Sequence, residues 1–320
     1  MKAVEVEENT LALIDCPKPE PEPGEVLIKV MATAINRADL AQRNGLYPPP
    51  PGASPIMGLE CSGIIEKVGS GVSTRRKGEE VCALLAGGGY AEYVTCPEEQ
   101  VLPNPKGLDW IESASIPEVY ATCWLNLFIE ANLQAGEKVV FHAGASGIGT
   151  AGIQLCTNFD CESFVTAGTK EKIEFCENLG SSGGSIRSGA IFEDIAEWAP
   201  SGVNVILDPV GANYFENNLK VLAVEGRLVI IGLMGGAKSD LNLGNLMMKR
   251  QKIIGSTIRA RSVAAKGIVM KELENKVWPL FDSGRIKPII HDVFDLEEVE
   301  KAHSLIENNE NIGKVVLKVN

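Results

Sequence analysis

Apolar and polar residues alternate with a short period in the first third of the chain. Alternation with a period of two is typical of half-buried strands. It predicts strands over residues 25–31, 62–68, 80–85 and 90–96, with a short helix over 36–44. Four consecutive prolines at 48–51 cannot enter a helix or a central strand, so they indicate a stiff, exposed loop. We predict a small, irregular β-barrel here.

From about residue 113 the pattern changes, and strands alternate with helices. A helical stretch is predicted over 113–130, followed by strands over 138–142, 163–167, 203–207 and 227–232 and helices over 148–158, 170–179 and 214–222. This βαβ alternation is typical of an open parallel sheet with helices on both faces. A long helix after Ser262 and a last strand over 314–319 complete an α/β chain of two domains.

Charge and composition restrict the partners of this chain. Its 320 residues include 42 acidic and 30 basic side chains, a formal charge of −12, and 45% of them are hydrophobic. That hydrophobic content predicts a folded chain, and the negative charge without a long basic block argues against nucleic-acid binding. No apolar run reaches the roughly 18 residues that span a bilayer, and the acidic N-terminus lacks the apolar core of a signal peptide. We therefore expect no membrane partner.

The eight cysteines and three histidines are not spaced as zinc ligands. No two cysteines form a Cys-x-x-Cys pair, and no histidines cluster. Without a secretion signal, the cysteines are predicted to be reduced and mostly buried in a cytoplasmic protein.

A glycine-rich turn is the strongest motif. It follows the apolar strand that ends at His142 and opens a helix, and it consists of Gly144, Ala145, Ser146, Gly147, Ile148 and Gly149. Small residues allow the backbone to approach a pyrophosphate, and the helix N-terminus supplies N–H donors. The spacing is G-x-x-G-x-G rather than the common G-x-G-x-x-G. Dinucleotide binding is favoured over an ordinary tight turn of another doubly wound protein.

The end of the next strand indicates which dinucleotide is bound. NAD-selective folds place an acidic residue there for the ribose 2′-hydroxyl. This chain instead has Gly168 and Thr169, followed by Lys170 and Lys172. A hydroxyl and cations suit a 2′-phosphate, so we predict NADPH over NADH. The alternative is that both lysines belong to an exposed helix face.

Several motifs resemble those of the zinc-free medium-chain dehydrogenases/reductases, namely the NADPH:quinone oxidoreductase (zeta-crystallin-like) family. The resemblance is strongest to the tumour-suppressor-inducible subgroup and its plant relatives, and it covers nearly the whole chain. The motifs lie at 34–40, 47–52, 58–63, 83–91, 142–150, 232–236 and 311–314.

The resemblance implies a fold and an assembly. It implies a GroES-like catalytic domain over 1–112 plus 259–320 and a Rossmann NADPH-binding domain over 113–258, with the active site in the cleft between them. It also implies a homodimer.

Comparison with zinc-dependent relatives implies a metal-free enzyme. Those relatives carry a cysteine where this chain has Asn36, and a His-Glu pair where it has Leu59 and Glu60. Neither Asn nor Leu replaces a thiolate or imidazole ligand. Without a Lewis acid, the substrate must accept hydride readily, as quinones and α,β-unsaturated carbonyls do.

The resemblance also assigns site residues. It implies catalytic roles for Asn36 and Ser146, and for Tyr47, which can stack on a substrate ring and donate a hydrogen bond. Asp39 is expected to orient Asn36 or cap a helix. Further cofactor contacts are implied at Thr122, Arg187, Gly232, Leu233, Met234 and Arg259. At Arg187, relatives have a tyrosine that helps to hold the 2′-phosphate.

Two other functions remain open at this point. An enoyl or alkenal double-bond reductase needs the same cofactor and the same kind of cleft. A non-catalytic role, crystallin-type or RNA-binding, is known in the superfamily, although the charge of −12 argues against RNA.

Overall fold

The computed structural model describes residues 1–7 and 10–319. Within them, the strands are β1 (Lys2–Glu7), β2 (Thr10–Asp15), β3 (Glu25–Ala34), β4 (Glu60–Val68), β5 (Glu80–Leu84), β6 (Tyr93–Pro97), β7 (Val101–Pro103), β8 (Lys138–His142), β9 (Glu162–Ala167), β10 (Gly184–Ile186), β11 (Val203–Asp208), β12 (Leu222–Ile230), β13 (Lys252–Gly255), β14 (Ile290–Asp295) and β15 (Lys314–Lys318).

The α-helices are α1 (Arg37–Arg43), α2 (Trp110–Ala114), α3 (Pro117–Cys123), α4 (Gly147–Asn158), α5 (Lys170–Leu179), α6 (Ile191–Trp198), α7 (Ala212–Val221), α8 (Leu243–Lys249), α9 (Val263–Lys276), α10 (Trp278–Asp282) and α11 (Val299–Glu307). None of the helices in the described ranges is both long and apolar enough to cross a bilayer.

The chain folds into two compact units. The first unit comprises residues 1–121 and 258–320, and the second comprises residues 122–257. Their boundary lies later than residue 113, where the sequence pattern changes. All eight cysteines are free thiols, and all except Cys16 are buried.

A seven-stranded sheet forms the core of the first unit. Its strand order is β14-β15-β3-β4-β5-β7, with β6 also paired to β3. Gly63 allows β3 and β4 to approach closely, because a Cβ atom there would lie 2.0 Å from the Lys29 carbonyl oxygen. The inward-facing side chains of these strands, such as Ile28 and Val315, form the core together with α11 residues such as Ala302.

The second unit is a doubly wound parallel sheet. Its strand order is β10-β9-β8-β11-β12-β13, and each neighbouring pair is parallel. The order reverses between β8 and β11, so the crossover connections leave in opposite directions from that point. Ligands in open α/β sheets bind beyond the carboxyl ends of the strands at such a reversal.

The prediction of one helical stretch over 113–130 is wrong, because the stretch is interrupted. The structure has α2, α3 and a π-helical segment, Trp124–Glu130, in its place. Pro117 is the first residue of α3, a position where its missing N–H costs nothing. In the π-helical segment, Ala131 N donates to Asn126 O at 3.1 Å, a five-residue spacing.

Candidate active site

The glycine-rich turn lies between β8 and α4, at the reversal of strand order. Gly144 N donates to Thr166 O at 2.9 Å, which ties the turn to β9. A Cβ atom on Gly144 would lie 2.4 Å from the Val165 side chain, and one on Gly149 would lie 2.1 Å from Gly144 O. Both distances are too short for any side chain, so the turn requires glycine at these two positions.

Helix α4 presents its N-terminus beside this turn. The Ser146 side chain caps the helix by accepting from Gly149 N at 3.2 Å, and the first turn contains no acidic residue. The helix dipole therefore favours an anion at this end, and the small residues Gly144 and Ala145 leave room for it. The turn fits the pyrophosphate of a dinucleotide, and in this structure Ser146 acts as the helix cap.

Replacing Gly149 by alanine is expected to abolish dinucleotide binding, because the added methyl group must displace the Gly144 carbonyl and open the turn. Titration of the purified variant with NADPH, followed by nicotinamide fluorescence, measures the effect. Gly255→Ala is the matched control, because a Cβ atom there meets nothing within 4 Å. Wild-type affinity in Gly149→Ala would contradict the assignment of this turn.

Four further predicted cofactor residues, Gly168, Thr169, Lys172 and Arg187, follow the neighbouring strands β9 and β10. Thr169 caps α5 by accepting from Lys172 N at 3.4 Å, directly after Gly168. Arg187 N donates to Ala167 O at 2.7 Å, and its guanidinium nitrogen lies 3.8 Å from a Cβ atom built on Gly168. The structure thus places an arginine beside Gly168, where no side chain intervenes.

Gly232, Leu233 and Met234 lie at the same edge of the sheet, after β12. A Cβ atom on Gly232 would lie 2.8 Å from Pro209 O, and Met234 N donates to that same oxygen at 3.2 Å. The side chains of Leu233 and Met234 are about half exposed. Thr122 begins the second unit, and its carbonyl accepts from Asn126 Nδ2 at 2.8 Å.

A buried polar network that the sequence did not reveal lies behind the turn. His142, the last residue of β8, contacts Thr166 Oγ1 through Nδ1 at 3.1 Å and Asn218 Oδ1 through Nε2 at 2.7 Å. Asn218 Nδ2 donates to Asp208 Oδ2 at 3.1 Å, and Asp208 Oδ1 accepts from Val210 N at 2.6 Å. The network joins the ends of β8, β9 and β11 and so fixes the edge that carries the turn.

Burial shifts both titratable groups of this network toward their neutral forms. It lowers the pKa of His142 to about 4, although the hydrogen bond that Asn218 Oδ1 accepts from the ring opposes the shift. It raises the pKa of Asp208 to about 6, although the hydrogen bonds from Val210 and Gly211 oppose the shift.

Replacing His142 by glutamine is expected to remove one loss of stability on acidification, so that the variant loses less stability than wild type between pH 6.5 and 4. Because the folded-state pKa of His142 is about 4 and the unfolded value is 6.5, the unfolded chain binds the extra proton between those values. The contribution of His142 to the free energy of unfolding is therefore full above pH 6.5. It falls by about 1.4 kcal/mol per pH unit as the pH falls toward 4. Asp208 acts in the opposite direction between 3.8 and about 6, and the variant retains that effect. Urea unfolding at several pH values measures the slope, and an unchanged slope would contradict the neutral His142.

In the first unit, Asn36 belongs to a buried ionic cluster. Lys314 Nζ forms an ion pair with Glu60 Oε1 at 2.7 Å and donates to Asn36 Oδ1 at 2.6 Å and to Ile35 O at 2.9 Å. Asn36 Nδ2 donates to Glu60 Oε1 at 2.9 Å and to Ala34 O at 3.3 Å. Glu60 and Lys314 are 0% and 4% exposed, so the cluster is desolvated. Its polar groups are satisfied internally, and the Asn36 amide is oriented by both charges.

This cluster does not fit a zinc ion. The Lys314 ammonium already compensates the Glu60 carboxylate, and a divalent cation beside it would be repelled. Asn36 turns its carbonyl oxygen to the ammonium, and Leu59 is a buried apolar side chain. The donor set therefore lacks the thiolate and imidazole ligands that zinc prefers.

Tyr47 and Arg259 lie together in the first unit. The Arg259 guanidinium carbon lies 5.3 Å from the centroid of the Tyr47 ring. Arg259 Nη1 also donates to Tyr47 O at 3.1 Å. The structure thus brings a predicted cofactor residue and a predicted substrate residue into direct contact.

Asp39 is fully buried below Asn36. Its carboxylate accepts from Asn36 N at 2.8 Å and from Gly58 N at 3.1 Å, which confirms that it caps α1 and orients Asn36. Burial raises the pKa of Asp39 to about 6. Tyr90 links this region to His303, whose Nε2 lies 3.1 Å from the Tyr90 hydroxyl.

Known proteins resemble this chain along nearly its whole length. A family model described as alcohol dehydrogenase GroES-like domain matches residues 22–106, and one described as zinc-binding dehydrogenase matches residues 188–317. The quinone oxidoreductase of Rattus norvegicus is 30% identical over 307 residues, which cover 93% of this chain and 90% of that protein. The Homo sapiens synaptic vesicle membrane protein VAT-1 homolog is 29% identical, covering 93% of this chain and 80% of that protein.

A solved structure has the same fold as this chain. The crystal structure of CurK enoyl reductase superposes with a TM-score of 0.86 at 27% identity and covers 100% of this chain and 99% of that one. The GroES-like domain and the Rossmann sheet expected from the sequence are thereby confirmed. The chain is an oxidoreductase of the medium-chain dehydrogenase/reductase superfamily and belongs to its quinone oxidoreductase family.

Proposed function

We propose that this protein is a metal-free, NADPH-dependent reductase of quinones. One observation carries the proposal: the glycine-rich turn and the capped N-terminus of α4 lie where the strand order reverses, with Arg187 beside Gly168 at the adjacent strand end. When bound, the reduced nicotinamide supplies a hydride from C4 to the acceptor. The protein's part is to bind and orient the two reactants.

The choice of NADPH rests on the absence of a carboxylate at the end of β9. Gly168 and Thr169 occupy that position, and the Arg187 guanidinium can form a bidentate contact with a 2′-phosphate. Lys172 in the first turn of α5 adds a second positive charge nearby. These residues favour the phosphorylated cofactor.

On the substrate side, Tyr47 is the residue that we propose to contact the acceptor. The Asn36 amide donates within the ionic cluster, so its proposed role is to shape the site rather than to donate a hydrogen bond to the acceptor. The Tyr47 ring can stack on a quinone, and its hydroxyl can hydrogen-bond a carbonyl oxygen.

The cellular setting is part of the proposal. We propose a cytoplasmic homodimer, which the free thiols support by indicating a reducing compartment. Strand β13 stands at the edge of the second unit's sheet in the described ranges, and its exposed backbone supports pairing with a second copy.

The test is loss of NADPH absorbance with 1,2-naphthoquinone as acceptor. We expect turnover with NADPH, a lower kcat/KM with NADH, and no loss of activity after dialysis against a chelator. Tyr47→Phe is expected to retain stacking and lose the hydroxyl contact. Unchanged quinone turnover in that variant would remove the hydroxyl from the proposal.

A second candidate acceptor is an α,β-unsaturated carbonyl. The similarity to CurK enoyl reductase favours it, because the same fold there carries an enoyl reductase. The discriminating measurement is kcat/KM with trans-2-hexenal against kcat/KM with 1,2-naphthoquinone. A higher value for the enal would replace the quinone as substrate class. Intact NADPH binding without turnover of either acceptor would favour a non-catalytic role.

A further inference from the structure

Arg259 is a buried arginine whose hydrogen-bond acceptors are all uncharged. It is 3% exposed, and burial lowers the pKa of its guanidinium, although the charge of the Asp39 carboxylate opposes the shift. Its three nitrogens donate in three directions: Nε to Ala86 O at 2.8 Å, Nη1 to Tyr47 O at 3.1 Å and Nη2 to Gln42 Oε1 at 2.7 Å. All these partners belong to the first unit.

These acceptors lie on three separate segments. Gln42 is in α1, Tyr47 precedes the proline run at 48–51, and Ala86 precedes the triple-glycine loop at 87–89. Gln42 Nε2 also donates to Pro55 O at 2.9 Å, on the far side of the prolines. One guanidinium, with one glutamine, therefore fixes both ends of the proline loop.

The side chain of Tyr47 is held by the same group. The Arg259 guanidinium carbon lies 5.3 Å from the Tyr47 ring centroid, within the range of a cation–π contact. A lysine at this position has a single point charge and cannot reach three diverging acceptors while it contacts the ring. The contacts thus specify arginine.

We infer that Arg259 is a positioning residue that acts through Tyr47, by fixing the backbone and ring of that residue for the acceptor. The inference rests on the proposed function, because it takes Tyr47 as the substrate contact. It differs from the role that the family resemblance implies for Arg259, which is contact with the cofactor. The two roles predict different losses when the guanidinium is removed.

The test is Arg259→Lys, which keeps the charge and loses the three-way hydrogen bonding. We expect kcat/KM for 1,2-naphthoquinone to fall by about 10–100-fold, as misplacement of a reacting group does. NADPH affinity, measured by fluorescence titration, is expected to stay within about twofold of wild type, because the donors face the first unit. Arg285→Lys, at an exposed position of the same unit, is the matched control.

A double-variant cycle separates action through Tyr47 from a general effect. In a Tyr47→Ala background, Arg259→Lys is expected to cause no further loss of kcat/KM. Multiplicative losses would overturn the inference. A weakened affinity for NADPH with an unchanged kcat/KM for the acceptor would overturn it in favour of the cofactor role.

Hydrogen exchange tests, independently of catalysis, whether Arg259 holds the proline loop. In Arg259→Lys and in Gln42→Ala, the backbone amides at 45–47 and 52–54, on either side of the prolines, are expected to exchange at least about tenfold faster than in wild type, because the loop loses its anchors. Gln42 is half-buried, so its truncation leaves the core intact. Unchanged exchange in both variants would overturn the inference. If wild type binds NADPH but reduces no acceptor, the proposed function fails while the exchange result still decides whether Arg259 holds the loop.

Discussion

Replacing Lys314 by methionine is expected to lower the free energy of unfolding of the first unit by about 3–5 kcal/mol, the usual effect of breaking a buried ion pair. The substitution leaves the Glu60 carboxylate 0% exposed and without its cation, and it removes the donor to Asn36 Oδ1. Glu60 retains the Asn36 amide and the Glu118 N–H as donors. Those two neutral dipoles do not offset a desolvated negative charge.

Two companion variants distinguish charge from packing. Lys314→Met combined with Glu60→Gln removes both charges and is expected to recover at least half of the loss, because neutral side chains of similar size cost less to bury. Lys318→Met, at the exposed end of the same strand, is the matched control and is expected to change stability by less than about 0.5 kcal/mol.

Hydrogen exchange under increasing urea assigns the loss to the correct unit. Peptides from β3, β4 and β15 are expected to unfold earlier in Lys314→Met, while those from the second unit keep their wild-type profile. Equal stabilities of Lys314→Met and Lys318→Met would contradict a net contribution from this ion pair.

Apolar runs predicted the strands around the turn, because the strands of a parallel sheet with helices on both faces are buried on both sides. The segment from Lys138 to Gly149 combines an apolar strand with a helix start and small residues. Those are local features, so β8, the turn and α4 could be predicted from the sequence. The interruption of the helix at Pro117 could also have been predicted, because proline favours the first position of a helix.

The buried polar contacts could not be predicted, because they join residues far apart in the chain. Lys314 starts the last strand and meets Glu60 and Asn36 from the first hundred residues. A charged residue at the edge of an apolar run is ordinarily expected to be a solvated strand end, and here Lys314 is buried against Ile35, Asn36 and Glu60. The network from His142 to Asp208 could not be predicted either, since both residues end apolar strands, where exposure is the ordinary expectation, and Asn218, which joins them, comes from helix α7.

The resemblance to a family located residues but not their contacts. It implied a cofactor contact for Arg259 and a catalytic role for Asn36. In the structure, Arg259 donates to Tyr47 O and the Asn36 amide donates to Glu60. A side chain's partners depend on which loops its neighbours bring close, and a motif does not contain that information.

Replacing Arg187 by glutamine is expected to reduce the preference for NADPH over NADH by about 10–100-fold in kcat/KM, the value of one charge-assisted contact to phosphate. The guanidinium lies beside Gly168, where a Cβ atom would meet it at 3.8 Å, and no acidic residue stands at the end of β9. The positive field of Arg187 also reaches Tyr214, where it opposes the rise in pKa that burial causes. The positive charge of Arg187 therefore acts on the groups around the carboxyl ends of β9 and β10.

The ratio of kcat/KM with NADPH to kcat/KM with NADH is the informative quantity, because effects that are common to both cofactors cancel in it. If Arg187 holds only the 2′-phosphate, the variant loses kcat/KM with NADPH while the value with NADH stays within about twofold, since NADH presents no such phosphate. Lys220→Gln removes one positive charge from an exposed position in the last turn of α7, away from the strand ends that carry Arg187, and is the matched control for net charge. Equal losses with the two cofactors would indicate that Arg187 supports the fold of the strand ends. If the ratio is unchanged, the selectivity for NADPH would instead be assigned to Thr169 and Lys172, which also follow β9.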